Sequence, residues 1–299
     1  MTLFTGLSAF PLTPTDDSGK LKPEVLQRFL ERIVAARVDS IGLLGSTGGY
    51  AYLTVEERER TLRAAVESVA GRTPLIVGIG ALTTDVAEEL ARGAQKAGAD
   101  GLLLAPMSYQ PLNEEEVFRH FESVAVAGEL PLCIYNNPGT TKFTFSLDLI
   151  ARLAKLPNVT AVKMPLPADG DYAGEMQRLR AMTPEGFAIG YSGDWGAKDS
   201  LLAGGTCWYS VIAGLLPEPA LALNRAAQTG NATEAERIDM AFAPLWALFR
   251  EFGSFRVMFA IAETLGFAPF TPPRPILALQ PADRERVETA LHPLMQFTG

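Results

Sequence analysis

Residues 131–165 read PLCIYNNPGTTKFTFSLDLIARLAKLPNVTAVKMP, and the rest of the fold follows from how this stretch is divided. Pro131–Asn136 and Val159–Met164 are short, largely apolar runs, the pattern of strands covered on both faces. Between them LDLIARLAKL repeats its apolar residues at the 3.6-residue spacing of an amphipathic helix. A strand, a helix and a second strand make a crossover unit, which joins two parallel neighbours in one sheet.

Working outward, the same alternation recurs about eight times. Further strands are predicted near Leu7–Pro11, Ser40–Gly45, Pro74–Gly80, Gly101–Pro106, Phe187–Ser192 and Thr206–Val211. Helical periodicity fills the gaps, as in PEVLQRFLERIVAARV, VEERERTLRAAVESVAG, TDVAEELARGAQKAG, EEEVFRHFESVAVAG, YAGEMQRLRAM and KDSLLAG. Pro23 suits a first helical turn, Thr54 with Glu57 and Asn113 with Glu116 suit N-caps, and Gly71, Gly98 and Gly128 suit C-caps. Eight such units predict an α/β fold of the (β/α)8 TIM-barrel type. A doubly wound open sheet is the alternative, but its glycine-rich GxGxxG loop is missing after the first strand. Beyond the eighth strand lie more helical segments than a barrel needs, so the chain divides into a barrel over 1–225 and a C-terminal helical appendage over 226–299. With no Ser/Gly-rich linker between them, the appendage is expected to pack on the barrel.

Composition removes several functions. Hydrophobic residues are 47% and charged residues 20%, a globular balance. A formal charge of −8 speaks against nucleic acid, whose phosphates require clustered lysine and arginine. No basic leader and no run of 18 apolar residues is present, so no membrane association and a cytoplasmic location are expected. Cys133 and Cys207 sit in apolar strands and read as reduced buried thiols. The two histidines, His120 and His292, form no ligand pair, and there is no CxxC, so no metal site is expected. His120 lies in a helical pattern and reads as a packed or surface residue. No GxSxG elbow with a late histidine supports a serine hydrolase.

In a barrel the site lies at the C-terminal ends of the strands, and four places there carry reactive groups. Lys163 interrupts an apolar strand, where a poorly solvated ammonium favours the nucleophilic amine, although from the strand alone a lysine packing its stem and extending its head to solvent is the favoured reading. The other six of the seven lysines fall in turns or helical segments. Tyr135 ends the preceding strand and is expected beside Lys163, either relaying protons or simply buried. In LLGSTGGYAYLT, Ser46, Thr47 and the N–H groups around Gly48 could cradle a carboxylate, or make only a tight turn. Asp194 and Trp195 follow the seventh strand and Tyr209 lies in the eighth; Asp194 could meet substrate hydroxyls or cap a helix.

Taken together, GSTG after strand two, YNNP ending strand five, the lysine in strand six, SGD after strand seven and AGG before strand eight resemble the dihydrodipicolinate synthase / N-acetylneuraminate lyase family over roughly residues 4–225, and the helical tail fits as well. The resemblance implies a cofactor-independent, metal-free lyase or synthase in which Lys163 forms an imine with pyruvate or another 2-oxo acid. Tyr135 and Thr47 move protons, and Ser46, Thr47 and Gly48 hold the carboxylate. The imine is the electron sink for aldol addition to an aldehyde, for cleavage, or for dehydration. It further implies a homotetramer or homodimer whose proton relay takes a tyrosine from the neighbouring subunit, a place matched by Ser108, with Tyr109 one step on. The arginine of the lysine-pathway synthases, which holds the aldehyde's carboxylate, is matched by Thr140. The acidic residue of sialic acid lyases is matched by Trp195, and their threonine two past the lysine by Pro165. Met107, Pro165, Trp195, Trp208 and Tyr209 predict an apolar pocket and a catabolic aldolase or dehydratase. The alternatives are authentic 4-hydroxy-tetrahydrodipicolinate synthase, a lyase of N-acetylneuraminate or 2-keto-3-deoxy sugar acids, a metal-dependent barrel aldolase, and a non-catalytic binder of 2-oxo acids.

Overall fold

Each apolar run forms a strand, and the strands pair in parallel in chain order until β8 closes on β1. The computed structural model describes residues 3–267 and 270–297. In order the elements are β1 (Gly6–Ala9), α1 (Pro23–Ala36), β2 (Ser40–Leu43), α2 (Val55–Val69), β3 (Leu75–Gly78), α3 (Thr84–Ala97), β4 (Gly101–Leu104), α4 (Glu114–Gly128), β5 (Leu132–Tyr135), α5 (Pro138–Thr141), α6 (Leu147–Leu153), β6 (Val159–Met164), α7 (Tyr172–Met182), β7 (Ala188–Tyr191), α8 (Ala197–Leu202) and β8 (Cys207–Ser210). Then come α9 (Pro217–Gln228), α10 (Ala232–Phe252), α11 (Ser254–Thr264) and α12 (Pro281–Leu291). The fold is the (β/α)8 barrel with added C-terminal helices. Residue 225 lies inside α9, so barrel and appendage share a continuous helix at that point.

Period-two alternation splits the core in two. One set of strand side chains, Leu7, Ile41, Val77, Leu102, Ile134, Val162 and Trp208 among them, faces the helices. The other, with Phe10, Ile76, Leu103, Cys133, Tyr135, Ala161, Ala188, Cys207 and Tyr209, fills the barrel. Local signals explain the helix ends. Thr54 Oγ1 accepts from the Glu57 N–H at 3.2 Å, and Asn113 and Glu116 form a reciprocal capping box at 2.9 and 2.7 Å.

Two glycines do other work than the sequence suggests. Gly71 follows Ala70, which itself takes the left-handed C-cap conformation. Gly128 is the last residue of α4 rather than its cap: a Cβ there would lie 2.5 Å from Leu102 and 3.1 Å from Ala91, so its absence lets α4 seat against α3 and β4.

Candidate active site

Lys163 is placed by a bulge. Leu132 pairs with Val159 but Cys133 with Ala161, leaving Thr160 as the extra, exposed residue of β6. From there Ala161 and Lys163 turn inward, and Lys163 stands level with Tyr135 on one side and Gly190 on the other. The lysine is 4% exposed. No carboxylate among the described residues lies within ion-pair distance of it; its Nζ instead lies over three aromatic rings, 4.0 Å from the centroid of Phe10, 4.2 Å from Tyr135 and 5.4 Å from Tyr209.

Those rings need room, and the small residues of the interior supply it. A Cβ on Gly42 would lie 2.2 Å from the Phe10 ring, one on Gly45 2.6 Å from it, and one on Gly190 2.5 Å from the Cys207 carbonyl and 2.6 Å from Tyr209. Tyr209 is fully buried, and its hydroxyl lies 3.4 Å from Cys133 Sγ. It is therefore part of the packed interior around Lys163, away from any open surface. Burial pushes the Cys133 thiol up to about 12 and raises Cys207 and Tyr209 well above their ordinary values, so all three stay protonated. Both cysteines are free and buried.

The Tyr135 hydroxyl joins a small network. Asn137 Nδ2 donates to it at 2.9 Å, and Ser46 Oγ lies 3.1 Å away on the loop after β2. That loop begins at Leu44, whose φ of 56° is left-handed, and a Cβ on the neighbouring Gly78 would lie 1.9 Å from the Leu44 carbonyl. The backbone is thus bent against β3, and the bend carries Ser46 to Tyr135. Ser46, and not Thr47, supplies the hydroxyl that touches the tyrosine. Thr47 is buried nearby, with no hydrogen-bond partner for its side chain among the described residues. Within the turn Gly49 N–H donates to the Ser46 carbonyl at 3.0 Å, while the N–H groups of Thr47 and Gly48 have no acceptor among the described residues. From outside, Phe255 of α11 covers Gly49, at 3.4 Å from where a Cβ would stand, and stacks on Tyr52.

A buried arginine braces this arrangement. Arg58 of α2 donates to the carbonyls of Gly78 and Gly80, both at 3.0 Å, and lies over the ring of Tyr50. Burial lowers its guanidinium to about 10, and burial together with the neighbouring Tyr135 raises the Tyr50 phenol.

Other sequence-selected residues lie elsewhere. Asp194 is 1% exposed, and its oxygens accept from Trp208 Nε1 at 3.0 Å, Val211 N–H at 3.1 Å and Ile212 N–H at 2.7 Å. It ties the loop after β7 to the loop after β8, and burial raises its carboxyl to about 6 against those three donors. Trp208, expected in the pocket, faces the helices, because neighbours on a strand point to opposite sides. Trp195 is 37% exposed at the rim. Thr140 is exposed in α5, its hydroxyl 3.4 Å from the Asn137 carbonyl. Ser108 hydrogen-bonds the Gln110 carbonyl, and Tyr109 is 90% exposed, so neither reaches Lys163 within the chain. His120 is buried, its Nδ1 3.0 Å from Thr84 Oγ1, and burial lowers its pKa. Among the described residues no cluster of three or more His, Cys, Asp or Glu is placed to hold a metal, and no helix is long and apolar enough to cross a membrane.

Sequence reasoning missed Phe10, Asn137, Tyr50 and Arg58. Asn137 could have been found, since it lies inside the YNNP motif beside Tyr135. Phe10 gave no signal of its own, because an aromatic at a strand end reads as ordinary core.

A barrel carrying a buried lysine beside a hydrogen-bonded tyrosine at the C-terminal ends of β5 and β6 defines a class of lyases of the class I aldolase type. The Dihydrodipicolinate synthetase family matches residues 3–294, and the chain belongs to that family. Among its relatives is the 4-hydroxy-tetrahydrodipicolinate synthase of Albidiferax ferrireducens, 34% identical over 96% of each chain. That of Azoarcus sp. is 35% identical over 97% of this chain and 98% of its own. Of the solved structures, a dihydrodipicolinate synthase from Agrobacterium tumefaciens is 60% identical over 98% of both chains, with a TM-score of 0.97. The chain is thus a lyase or synthase of the pyruvate-dependent, Schiff-base-forming kind, working on small molecules.

Proposed function

We propose that Lys163 is the imine-forming nucleophile and that Tyr135, hydrogen-bonded to Ser46 and Asn137, carries protons to and from it. The observation behind this reading is the juxtaposition in one register row of a 4%-exposed lysine with no carboxylate partner and a tyrosine whose hydroxyl leads to the loop after β2. The neutral Lys163 Nζ attacks C2 of the 2-oxo acid, one of its protons passes through Tyr135 to the oxygen to give the carbinolamine, and a second proton, taken up from solvent through the same hydroxyl, lets that oxygen leave as water to give the iminium. Loss of a C3 proton gives the enamine, which adds to an aldehyde; the reverse sequence cleaves the bond. The Thr47 hydroxyl and the N–H groups of Thr47 and Gly48, which have no acceptors in the chain among the described residues, are assigned to the substrate carboxylate. Asp194 and Tyr209 hold the walls in place rather than meeting substrate. The 226–299 region braces the loop after β2 through Phe255.

Incubation with pyruvate and borohydride, followed by intact mass, tests the assignment. A stable adduct is expected, lost in Lys163→Ala and indifferent to chelator. An adduct that survives Lys163→Ala refutes it, and activity lost to chelator would favour a metal-dependent aldolase.

For the aldehyde half we propose a neutral, apolar compound handled by a catabolic aldolase or dehydratase. Thr140 and Trp195 stand exposed at the rim, where the resemblance places an arginine for synthase activity and a carboxylate for sugar acids. Turnover of an anionic aldehyde or a 2-keto-3-deoxy sugar acid in preference to neutral aldehydes would overturn this part. We further propose a cytoplasmic homotetramer or homodimer in which Tyr109, 90% exposed on the loop after β4, enters the neighbouring subunit's relay. Light scattering that reports a monomer with undiminished activity would refute it.

A further inference from the structure

We propose that Phe10 is a positioning residue for Lys163: its ring face, with that of Tyr135, seats the lysine nitrogen and favours the iminium formed from it. This rests on the Schiff-base reading above. The Phe10 ring centroid lies 4.0 Å from Lys163 Nζ, the shortest of the three ring contacts, and the residue is 1% exposed. Its placement is enforced from both sides. The ring meets Tyr209 edge-on, at 6.1 Å and 75°, and it occupies space that a Cβ on Gly42 or Gly45 would claim, at 2.2 and 2.6 Å. The Asp194 carboxylate is committed to Trp208 and two backbone N–H groups.

A ring face suits the chemistry better than a carboxylate would. A carboxylate beside an amine favours the ammonium and withholds the lone pair that must attack C2. An aromatic face attracts a cation more weakly, offers no hydrogen bond, and packs against the neutral amine as readily. Nitrogen is neutral when it attacks and in the carbinolamine, positive once hydroxide has left with a relayed proton as water, and neutral again when a C3 proton is lost to give the enamine. The charge therefore comes and goes, and the ring face helps each step that creates it.

Three proteins test the inference: the wild type, Phe10→Leu, and a chain with ring-fluorinated phenylalanine at the same position, which keeps the shape and weakens the face. The readouts are the rate of borohydride trapping with pyruvate and the upfield ring-current shift of the Lys163 ε-methylene protons, assigned with Lys163→Arg. Phe10→Leu should trap about 10- to 30-fold more slowly, as expected for a desolvated cation–π contact. The fluorinated chain should fall between, with an unchanged melting temperature. The ε-methylene shift should shrink in Phe10→Leu and persist in the fluorinated chain. Wild-type trapping by the fluorinated chain, or an ε-methylene shift untouched by Phe10→Leu, overturns the inference. If the wild type itself gives no adduct, the Schiff-base reading fails, and the ring-current shift still decides whether Phe10 seats the lysine side chain.

Discussion

Replacing Tyr135 by phenylalanine should separate catalysis from folding. The lost hydroxyl has two partners, Asn137 Nδ2 at 2.9 Å and Ser46 Oγ at 3.1 Å. Both are only half-buried, so water can satisfy them, and two net hydrogen bonds amount to about 1–2 kcal/mol, a fall of a few degrees in Tm. The ring itself remains, and with it the face 4.2 Å from Lys163 Nζ, so Lys163 should keep its place. Proton transfer loses its relay and should slow by about 10²- to 10⁴-fold. Exchange of the pyruvate methyl protons in D2O, followed by NMR, isolates the step, since it requires the imine and the enamine but no aldehyde. Wild-type exchange by Tyr135→Phe would remove the tyrosine from the mechanism. Slow exchange accompanied by loss of the fold would show that the hydroxyl is structural.

Asp194 has its pKa raised in the folded state to about 6 from 3.8, so it adds stability below pH ~4 that is lost as pH rises through ~6; relative to Asp194→Asn, urea unfolding should show a decline on the order of 3 kcal/mol across that window, and a pH-independent difference would refute it. Gly190→Ala forces a methyl to 2.5 Å from the Cys207 carbonyl, a backbone atom with little freedom, and should cost about 2–3 kcal/mol by thermal melting while slowing trapping at the adjacent Lys163. Arg58→Met leaves the Gly78 and Gly80 carbonyls without their donors and should destabilise by about 2–4 kcal/mol in denaturant, with Arg58→Lys recovering part because one ammonium replaces a two-pronged donor. Thr140→Arg gives up only a 3.4 Å contact and should improve kcat/KM for a carboxylate-bearing aldehyde over a neutral one by about 10-fold, a gain that an unchanged ratio would disprove.

The barrel was legible because a parallel sheet covered by helices must be apolar on both faces, which makes each strand a short uninterrupted run. Lys163 was legible for the same reason: a charge inside such a run has to be accommodated. What escaped was whatever depends on register. Tyr135 was expected beside Lys163 from the order of the strands, but nothing local says that the ring of Phe10, just after β1, meets the same nitrogen. The choice of Ser46 over Thr47 as Tyr135's partner turns on the left-handed backbone at Leu44, a conformation that sequence does not announce in a leucine. Trp208 could have been excluded from the pocket once Tyr209 was placed inside, since period two sends the pair to opposite faces. The short α5 was unreadable because four residues carry too little periodicity.

The same contrast separates the chemistry from the selection of substrate. Residues around Lys163 are packed so closely that a Cβ has no room: one on Gly78 would lie 1.9 Å from the Leu44 carbonyl, one on Gly42 2.2 Å from the Phe10 ring, and one on Gly190 2.5 Å from the Cys207 carbonyl. A change there disturbs Lys163 before it alters what is bound at the rim. Tyr109, Trp195 and Thr140 stand exposed in the connecting segments after β4, β7 and β5, where a substitution costs the fold little. Selection can therefore drift at the rim while imine chemistry persists inside. Relatives 34–35% identical across the whole barrel are compatible with that division. Rim residues are accordingly where the aldehyde is to be sought.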